Sequence, residues 1–274
     1  MLRPIILFCK GDCSLNPTRV LSVVGTRRAS YYGRTQCSQI IRELSLLDDP
    51  PVIISGLAFG IDTEAHRAAL EVGLKTIAVI PTGPETVYPQ QHRDLAVRIA
   101  DEGALVTDFT RGCTAQVAHF VRRNRIIAGM SDATFLVESF AKGGGLITTD
   151  LANSYDHDVF ALPGKTTDKG SEDCNNLIDR NIAHIVTSST SITSLMEWGE
   201  GRRHRTDVGP YLAFPPGSDK RTVLDILREE SPRDFEDILA VSRMSFNALS
   251  AILLELEMDG AVISVQGRKY GLRL

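Results

Sequence analysis

Three glycine-bearing loops contain the residue types that could bind phosphate. They span residues 24–33, 55–62 and 142–148, and each follows a short apolar run and precedes an amphipathic stretch. Glycine lets backbone N–H groups approach a phosphate closely, and the N terminus of the following helix adds a favourable dipole. Arg27 and Lys142, in the first and third loops, could neutralise phosphate charge. One such loop would be explained as a tight turn, but three together predict an anion-binding site.

The charge pattern supports the same prediction. The net charge is −4 and the pI is about 5.9, which alone argue against a nucleic-acid partner. However, residues 13–42 hold five arginines and no acid, and residues 110–131 hold four arginines and no acid. Local positive potential, rather than net charge, attracts a phosphate backbone. These arginines either pair with acids elsewhere in the fold or bind an anion, and two runs beside glycine loops favour the anion.

The elements that would position these loops alternate between strands and helices. Short β-branched runs predict strands at 20–24, 52–55, 76–81, 104–107, 133–137, 158–162 and 184–187. Amphipathic stretches predict helices at 33–47, 61–72, 91–100, 120–128, 146–154 and 175–180. Continuous apolar strands are typical of a parallel sheet buried on both faces. We therefore predict an α/β fold with a Rossmann-like, doubly wound, mostly parallel sheet, whose loops meet at one crevice.

The pattern changes after Trp198, which indicates a second domain. Residues 200–220 carry the basic cluster Arg202-Arg203-His204-Arg205 and little periodicity, as a linker would. Residues 221–274 predict three short helices and a β-hairpin, the layout of a small winged-helix domain. Its third helix has no Lys or Arg, which favours a protein contact or the exclusion of duplex over duplex reading. The expected domains are residues 1–199 and 221–274.

Several classes of protein are disfavoured. The five cysteines are scattered, and no second Cys or His pair completes a ligand set, so neither a disulfide framework nor a metal site is expected. No apolar segment approaches the roughly 18–20 residues of a membrane span. An NAD-linked enzyme would need an acid at the end of the second strand, where Ser55 and Gly56 stand instead. We expect a cytoplasmic protein with no cofactor, no metal and no membrane partner.

An ordered series of motifs resembles the DprA/Smf family. The series consists of Val24-Gly25-Thr26-Arg27 with Ser30 and Gly33, residues 55–62 (SGLAFGID), residues 123–131 (RNRIIAGMS), residues 142–148 (KGGGLIT), Pro163-Gly164, and Asn175-Asn176-Leu177-Ile178. The resemblance covers roughly residues 5–187, and the tail resembles the winged helix of that family. It implies a single-stranded DNA binder, not an enzyme, that helps to load a RecA-type recombinase during natural transformation. It also implies a homodimer formed through the Rossmann-like domain.

The resemblance assigns residues to the DNA site one by one. It implies that phosphates are contacted by Arg27, Ser30, Gly33, Gly56, Arg125, Lys142, Gly143 and Gly144, through charge or through glycine amides. Asn124 would either hydrogen-bond a base edge or orient Arg125, and we favour orientation. Lys165 is a further candidate, although it could simply be solvated.

Two departures from the family pattern stand out. Gly145 replaces the serine usually found before Leu-Ile-Thr, so one hydroxyl donor is missing. The helical N-terminal domain of many members is not expected either, because residues 5–10 already resemble the strand just upstream of the core. Either this lineage lacks that domain or Met1 is an internal start.

The main alternative is a nucleotide-processing enzyme that resembles the LOG-type phosphoribohydrolases. That activity needs a positioned acid and base. Asp150 is the one carboxylate on the helix after the third loop, Asp62 is explained as a first-turn acid, and Glu138 could pair with an arginine of the crevice. We therefore expect no catalytic residue.

Overall fold

The chain folds into two units, of which the first is the larger. The computed structural model describes residues 4–11, 14–140, 143–198, 214, 217–229, 231–258, 261–265 and 268–272. Its contacts separate Met1–Gly201 from Arg202–Leu274. The proposed linker lies mostly outside the described residues, so the boundaries at residues 199 and 221 stay a prediction.

The first unit alternates strands and helices as expected, and the predicted α/β class with a mostly parallel sheet is confirmed. Its strands are β1 (Phe8–Gly11), β2 (Val20–Val24), β3 (Val52–Ser55), β4 (Thr76–Val79), β5 (Ala104–Thr107), β6 (Ala133–Leu136), β7 (Asp158–Ala161) and β8 (His184–Ile185). Its helices are α1 (Tyr31–Leu44), α2 (Ile61–Glu71), α3 (Arg93–Glu102), α4 (Val117–Gly129), α5 (Gly144–Ser154), α6 (Glu172–Asp179) and α7 (Ser189–Leu195).

The order in which the chain adds strands to the sheet reverses at β2. Its strand order is β1-β5-β4-β3-β2-β6-β7-β8, and every pair is parallel except β1 with β5. The chain builds outward from β2 through β3 to β5, and then returns to add β6 on the other side of β2. Ligands of open α/β sheets bind outside the carboxyl ends of the strands at such a reversal. The three glycine loops follow β2, β3 and β6, and therefore lie at this place.

The core covers both faces of the sheet. Along β2, Leu21 and Val23 pack into one apolar cluster, while Val20 and Val24 pack into the other. This alternation follows the two-residue period of a strand. Because both faces are covered by helices, every residue of β2 is buried, which explains why the strand reads as a continuous apolar run.

Some boundaries differ from the predictions for local reasons. Helix α1 starts at Tyr31 rather than at residue 33, because Ser30 caps it and accepts a hydrogen bond from the Gly33 N–H. Helix α4 starts three residues before the predicted position, at Val117, whose side chain is exposed. Helix α7 was not expected from the sequence, because its Ser- and Thr-rich residues have low helix propensity.

The second unit is a helical domain with a small sheet. It contains α8 (Asp219–Glu229), β9 (Arg233–Asp234), α9 (Phe235–Ser242), α10 (Phe246–Met258), β10 (Val262–Val265) and β11 (Lys269–Leu272), with sheet order β10-β11-β9. Its core includes Leu227, Ile238 and Leu253. Residues 266–267 of the expected hairpin turn lie outside the described residues. Among the described helices, no single one is long and apolar enough to cross a membrane; only the pair α9 and α10, bent by 115°, meets that test jointly.

Candidate nucleic-acid interface

A cavity of about 490 Å³ opens at the carboxyl ends of β2, β3 and β6. Its described lining includes Gly25–Arg28 from the first loop, Ala58 and Asp62 from the second, and Gly143–Gly145 from the third, together with Tyr88, Phe120, Arg123, Asn124 and Phe140. The Ile61 N–H donates to the Thr26 carbonyl oxygen at 3.2 Å, which ties the second loop to the first. The tertiary structure thus brings the three loops to one site.

Arg27 and Arg28 supply exposed positive charge on one wall. The guanidinium of Arg27 lies 5.0 Å from the centre of the Phe120 ring, and that of Arg28 lies 5.2 Å from the centre of the Phe140 ring. A cation–π contact orients a guanidinium without neutralising it. Among the residues that the structure describes, neither arginine forms an ion pair, and both are exposed and line the cavity.

The N terminus of α5 forms another wall. Gly143 caps the helix, and its own N–H donates to the Phe140 carbonyl oxygen at 2.7 Å. Gly144 and Gly145 begin the first turn, where N–H groups have no partner within the helix. A side chain at Gly145 would meet Leu136 and Gly25 rather than the cavity. The glycine at this position therefore lets α5 pack closely on the first loop.

A buried ion pair forms the floor. Arg123 of α4 lies 3.6 Å from Asp62 of α2, and both side chains are more than nine-tenths buried. Burial raises the pKa of the Asp62 carboxyl, while Arg123 and the Ala58 N–H act in the opposite direction. A Cβ at Gly56 would lie 1.6 Å from Nη1 of Arg123. Gly56 therefore makes room for this guanidinium, a role that the sequence analysis did not identify, and Asp62 is more than a first-turn acid.

Arg125 and Asn124 lie in different environments, although they are neighbours on α4. The Arg125 guanidinium bonds to the buried carboxylate of Asp108, which also binds Arg122 at 3.0 Å, and Arg125 is absent from the cavity lining. Asn124, expected to orient Arg125, lines the cavity instead. Arg123 and Asn124 both line the cavity, whereas the next residue of α4, Arg125, is turned to Asp108. The assignment of Arg125 as a phosphate contact stays a prediction, and its guanidinium is held by Asp108 outside the cavity lining.

Ser30 and Gly33 are occupied by a residue of the chain itself. The Ser30 N–H donates to Oε2 of Glu138 at 2.8 Å, and its hydroxyl donates to Oε1 at 2.5 Å. The Gly33 N–H donates to Ser30 Oγ at 3.0 Å. Neither residue lines the cavity. The two Ser30 donors therefore bind a carboxylate, and the Gly33 N–H binds the Ser30 hydroxyl oxygen. Glu138 forms no ion pair with an arginine among the described residues.

Of the two candidate lysines, Lys165 is among the described residues. Lys165 is exposed in the loop after β7 and does not line the cavity. Lys142 lies outside the described residues, but the next residue, Gly143, is on the cavity wall. The described part of the chain contains no cluster of three or more potential metal ligands.

Comparisons with known proteins give consistent results. A family model described as DNA recombination-mediator protein A matches residues 2–197, and a model described as DprA winged helix domain matches residues 210–268. Protein Smf of Synechocystis sp. is 32% identical over an alignment 277 residues long with its gaps, which covers 91% of this chain and 69% of that protein. DNA processing protein DprA of Streptococcus pneumoniae is 38% identical over 195 residues, which cover 71% and 68%.

Two solved structures resemble this chain over about 70% of its length. The structure of DprA from Streptococcus pneumoniae matches with a TM-score of 0.66 and 38% identity, covering 70% of this chain and 66% of that one. DNA processing protein A from Helicobacter pylori matches with a TM-score of 0.65 and 26% identity, covering 71% and 89%. The latter structure is described as showing a unique mode of single-stranded DNA binding.

Proposed function

Because the chain belongs to the DNA recombination-mediator protein A (DprA/Smf) family, we propose that it binds single-stranded DNA at the cavity between the three glycine loops. One observation carries this proposal. Arg27 and Arg28, which form no ion pair with a described residue, lie in the same cavity as the N terminus of α5. A helix N terminus beside fixed positive charge is suited to phosphate. The described lining holds three arginines against one aspartate, so its net charge is positive.

The aromatic lining favours single strands over duplex. Tyr88, Phe120 and Phe140 line the cavity together with the two arginines. Unpaired bases stack on aromatic rings, whereas the bases of a duplex are already stacked on one another. Arginines and backbone amides contact phosphates and sugars, which carry no sequence information. The protein therefore binds strands with little preference for sequence.

The contacts in this proposal follow from the placement of each residue. Arg27 and Lys142 neutralise phosphates, the amide of Gly144 donates to a phosphate oxygen, and Asn124 contacts a sugar or a base edge from the wall of the cavity. Gly143, Gly56, Ser30 and Gly33 shape the loops, since their N–H groups or the space beside them are used within the chain. Lys165 acts at most as a peripheral charge.

The wider role rests on the family. As a recombination mediator, the protein would hold incoming strands in the cytoplasm and load a RecA-type recombinase onto them during natural transformation. It would act as a homodimer through the Rossmann-like unit. The support for this role is the match of the family model to residues 2–197.

Nucleotide hydrolysis is not part of the proposal. Asp62, the one carboxylate in the described lining, is held by Arg123, and Asp150 is exposed on α5 outside the lining. A glycosidic bond is cleaved with the help of a positioned acid and base. Incubation with AMP should therefore release no adenine, and turnover that disappears in Asp150→Ala would support the phosphoribohydrolase alternative instead.

A fluorescence polarisation titration tests the main proposal. Labelled single strands of two unrelated sequences and a duplex of one of them are compared at several salt concentrations. We expect similar affinities for the two strands, weaker binding of the duplex, and a steep loss of affinity with salt through counterion release. Tighter binding of the duplex, or binding that is insensitive to salt, would contradict the phosphate-binding cavity.

A further inference from the structure

Glu138, in the segment after β6, lies at the N terminus of α1 and not in the cavity. Its two carboxylate oxygens accept hydrogen bonds from the N–H and the hydroxyl of Ser30, the N-cap residue of that helix. Its backbone oxygen accepts from the Thr26 N–H at 2.7 Å, which fixes the residue against the first loop. Side chain and main chain together hold the carboxylate in one position.

That position is an anion-binding site by its chemistry. The N terminus of the helix after a strand at the sheet reversal carries N–H groups without partners and a positive dipole end, and doubly wound folds place phosphates there. Helix α1 has no acid in its own first turn. Glu138, 108 residues away in sequence from Ser30, supplies the negative charge in its place.

The burial of Glu138 shows how completely the site is filled. The residue is 4% exposed and forms no ion pair with any residue that the structure describes. A buried carboxylate is costly unless hydrogen bonds or charges compensate it, and here the start of α1 provides that compensation. A Cβ on Gly33 would lie 2.3 Å from Oε2 of Glu138. The carboxylate therefore occupies space that the glycine leaves open.

We propose that Glu138 acts as an internal anion, which fills the phosphate position at α1 and excludes free nucleoside phosphates from it. Strand phosphates are then restricted to the wall formed by Arg27, Arg28 and the N terminus of α5, a consequence that rests on the proposed DNA binding. Glu138 is thus a residue that determines specificity: it separates a binder of strands from the nucleotide-binding proteins that share this type of fold.

Removal of the carboxylate tests the proposal in the full chain. The melting temperatures of the native protein and of Glu138→Ala are measured in phosphate and in chloride at equal ionic strength. Phosphate at about ten times its dissociation constant should raise the melting temperature of Glu138→Ala by roughly 3 °C more than that of the native protein. Phosphate bound at Arg27 and α5 contributes equally to both proteins and cancels in this comparison.

A second substitution locates the effect. In the double variant Glu138→Ala with Gly33→Ala, the new methyl group occupies the space of the lost carboxylate, so the additional response to phosphate should disappear. A double variant of Glu138→Ala with Arg98→Ala, whose arginine lies on α3 outside the cavity lining, should keep it. A response that persists with Gly33→Ala would place the new phosphate elsewhere and contradict the proposal.

The remaining outcomes also decide the question. If Glu138→Ala folds only in phosphate, phosphate replaces the carboxylate and the proposal is supported. If Glu138→Ala and Glu138→Ser show no additional response, or fail to fold in phosphate as well as in chloride, the proposal is wrong. The melting experiment contains no DNA, so its result is independent of strand binding. A native protein that fails to bind a strand by polarisation would overturn the proposed function alone.

Discussion

The arginines of this chain differ in what surrounds their charge. Arg123 and Arg125 are buried against Asp62 and Asp108, whereas Arg27 and Arg28 are exposed beside aromatic rings. Paired, buried arginines hold elements together, while exposed arginines in a cavity remain available to a ligand. The acid-free runs of the sequence therefore contain both alternatives that the charge pattern left open: arginines paired with distant acids, and arginines that could bind an anion.

Arg27→Ala should weaken single-strand binding by about 1–2 kcal/mol, in the range of a charge-assisted contact. The salt dependence, as the slope of log K against log salt, should fall by about one unit or less. Lys142→Ala should have a similar effect. Polarisation titrations at several salt concentrations measure both quantities, and Arg98→Ala on α3 is the matched control, expected to change neither.

Thermal melts complete the test of Arg27. Because its side chain is exposed and makes no ion pair with a described residue, the melting temperature of Arg27→Ala should stay near that of the native protein. A drop of many degrees with unchanged strand affinity would show instead that Arg27 is structural. The assignment of Arg27 as a phosphate contact would then be wrong.

His66 predicts a dependence of stability on pH. Thr76 Oγ1 donates to the Ile53 carbonyl oxygen, so Nδ1 of His66, 2.7 Å away, must be the donor to Thr76, which leaves Nε2 buried without a partner. Burial, aided by Arg123 and His92, lowers the pKa of His66 from 6.5 to about 3. Between pH 6.5 and about 3, His66 binds a proton in the unfolded state but not in the folded state. Its contribution to the free energy of unfolding is therefore fully present above pH 6.5 and is lost as the pH falls through this range.

Urea denaturation at pH 7, 6 and 5 measures this loss, which approaches about 1.4 kcal/mol per pH unit for one group. His66→Gln removes the titrating group and should reduce the dependence on pH. If the native protein and the variant lose stability equally between pH 6 and 5, His66 is not the group responsible.

At the scale of elements, helix α4 connects the site to the core. Arg122 and Arg125, three residues apart, share one side of the helix and both bind Asp108, whereas Arg123 points elsewhere. Arg123 forms an ion pair with Asp62 of α2, and Gly56, in the loop after β3, leaves room for the Arg123 guanidinium. This contact holds the second loop at the floor of the cavity.

Arg123→Ala should therefore destabilise the protein by about 3–5 kcal/mol, because it leaves the Asp62 carboxylate buried without its partner. Urea denaturation at pH 7 measures the change. The neighbouring Arg122→Ala is the control: its side chain is 55% exposed and Asp108 retains Arg125, so the loss should stay below about 1 kcal/mol. Equal losses in the two variants would show that Arg123 does not brace the loop.

At the scale of the whole molecule, the second unit carries no excess of positive charge. Residues 220–274 contain eight basic and nine acidic residues, and α10 has no Lys or Arg. Leu254 and Met258 of that helix are exposed. A helix that reads duplex DNA ordinarily presents a basic face, so this one is poorly suited to the task.

Deletion from Gly201 onward should accordingly leave single-strand affinity within a few-fold of that of the full chain. Polarisation with the same labelled strands measures it, and circular dichroism and a thermal melt establish that the shortened chain is folded. A collapse of affinity in a folded fragment would show that the winged-helix domain holds DNA.

The sequence by itself determined the fold class, the order of the strands along the chain and the three glycine loops. These features depend on local periodicity, turn chemistry and an ordered set of motifs, all of which neighbouring residues encode. The strand predicted at residues 20–24 matches β2, and the loops after β2, β3 and β6 line one cavity as expected.

Only the tertiary structure decided which charges are available. Glu138 fills the start of α1, Asp62 and Asp108 bind the arginines of α4, and Gly56 accommodates a guanidinium rather than a ligand. Each of these contacts joins residues distant in the sequence, and the choice between two neighbours such as Asn124 and Arg125 depends on how α4 packs. A pattern of residues specifies what a side chain could bind, whereas packing brings it to a partner within the chain or leaves it to a ligand.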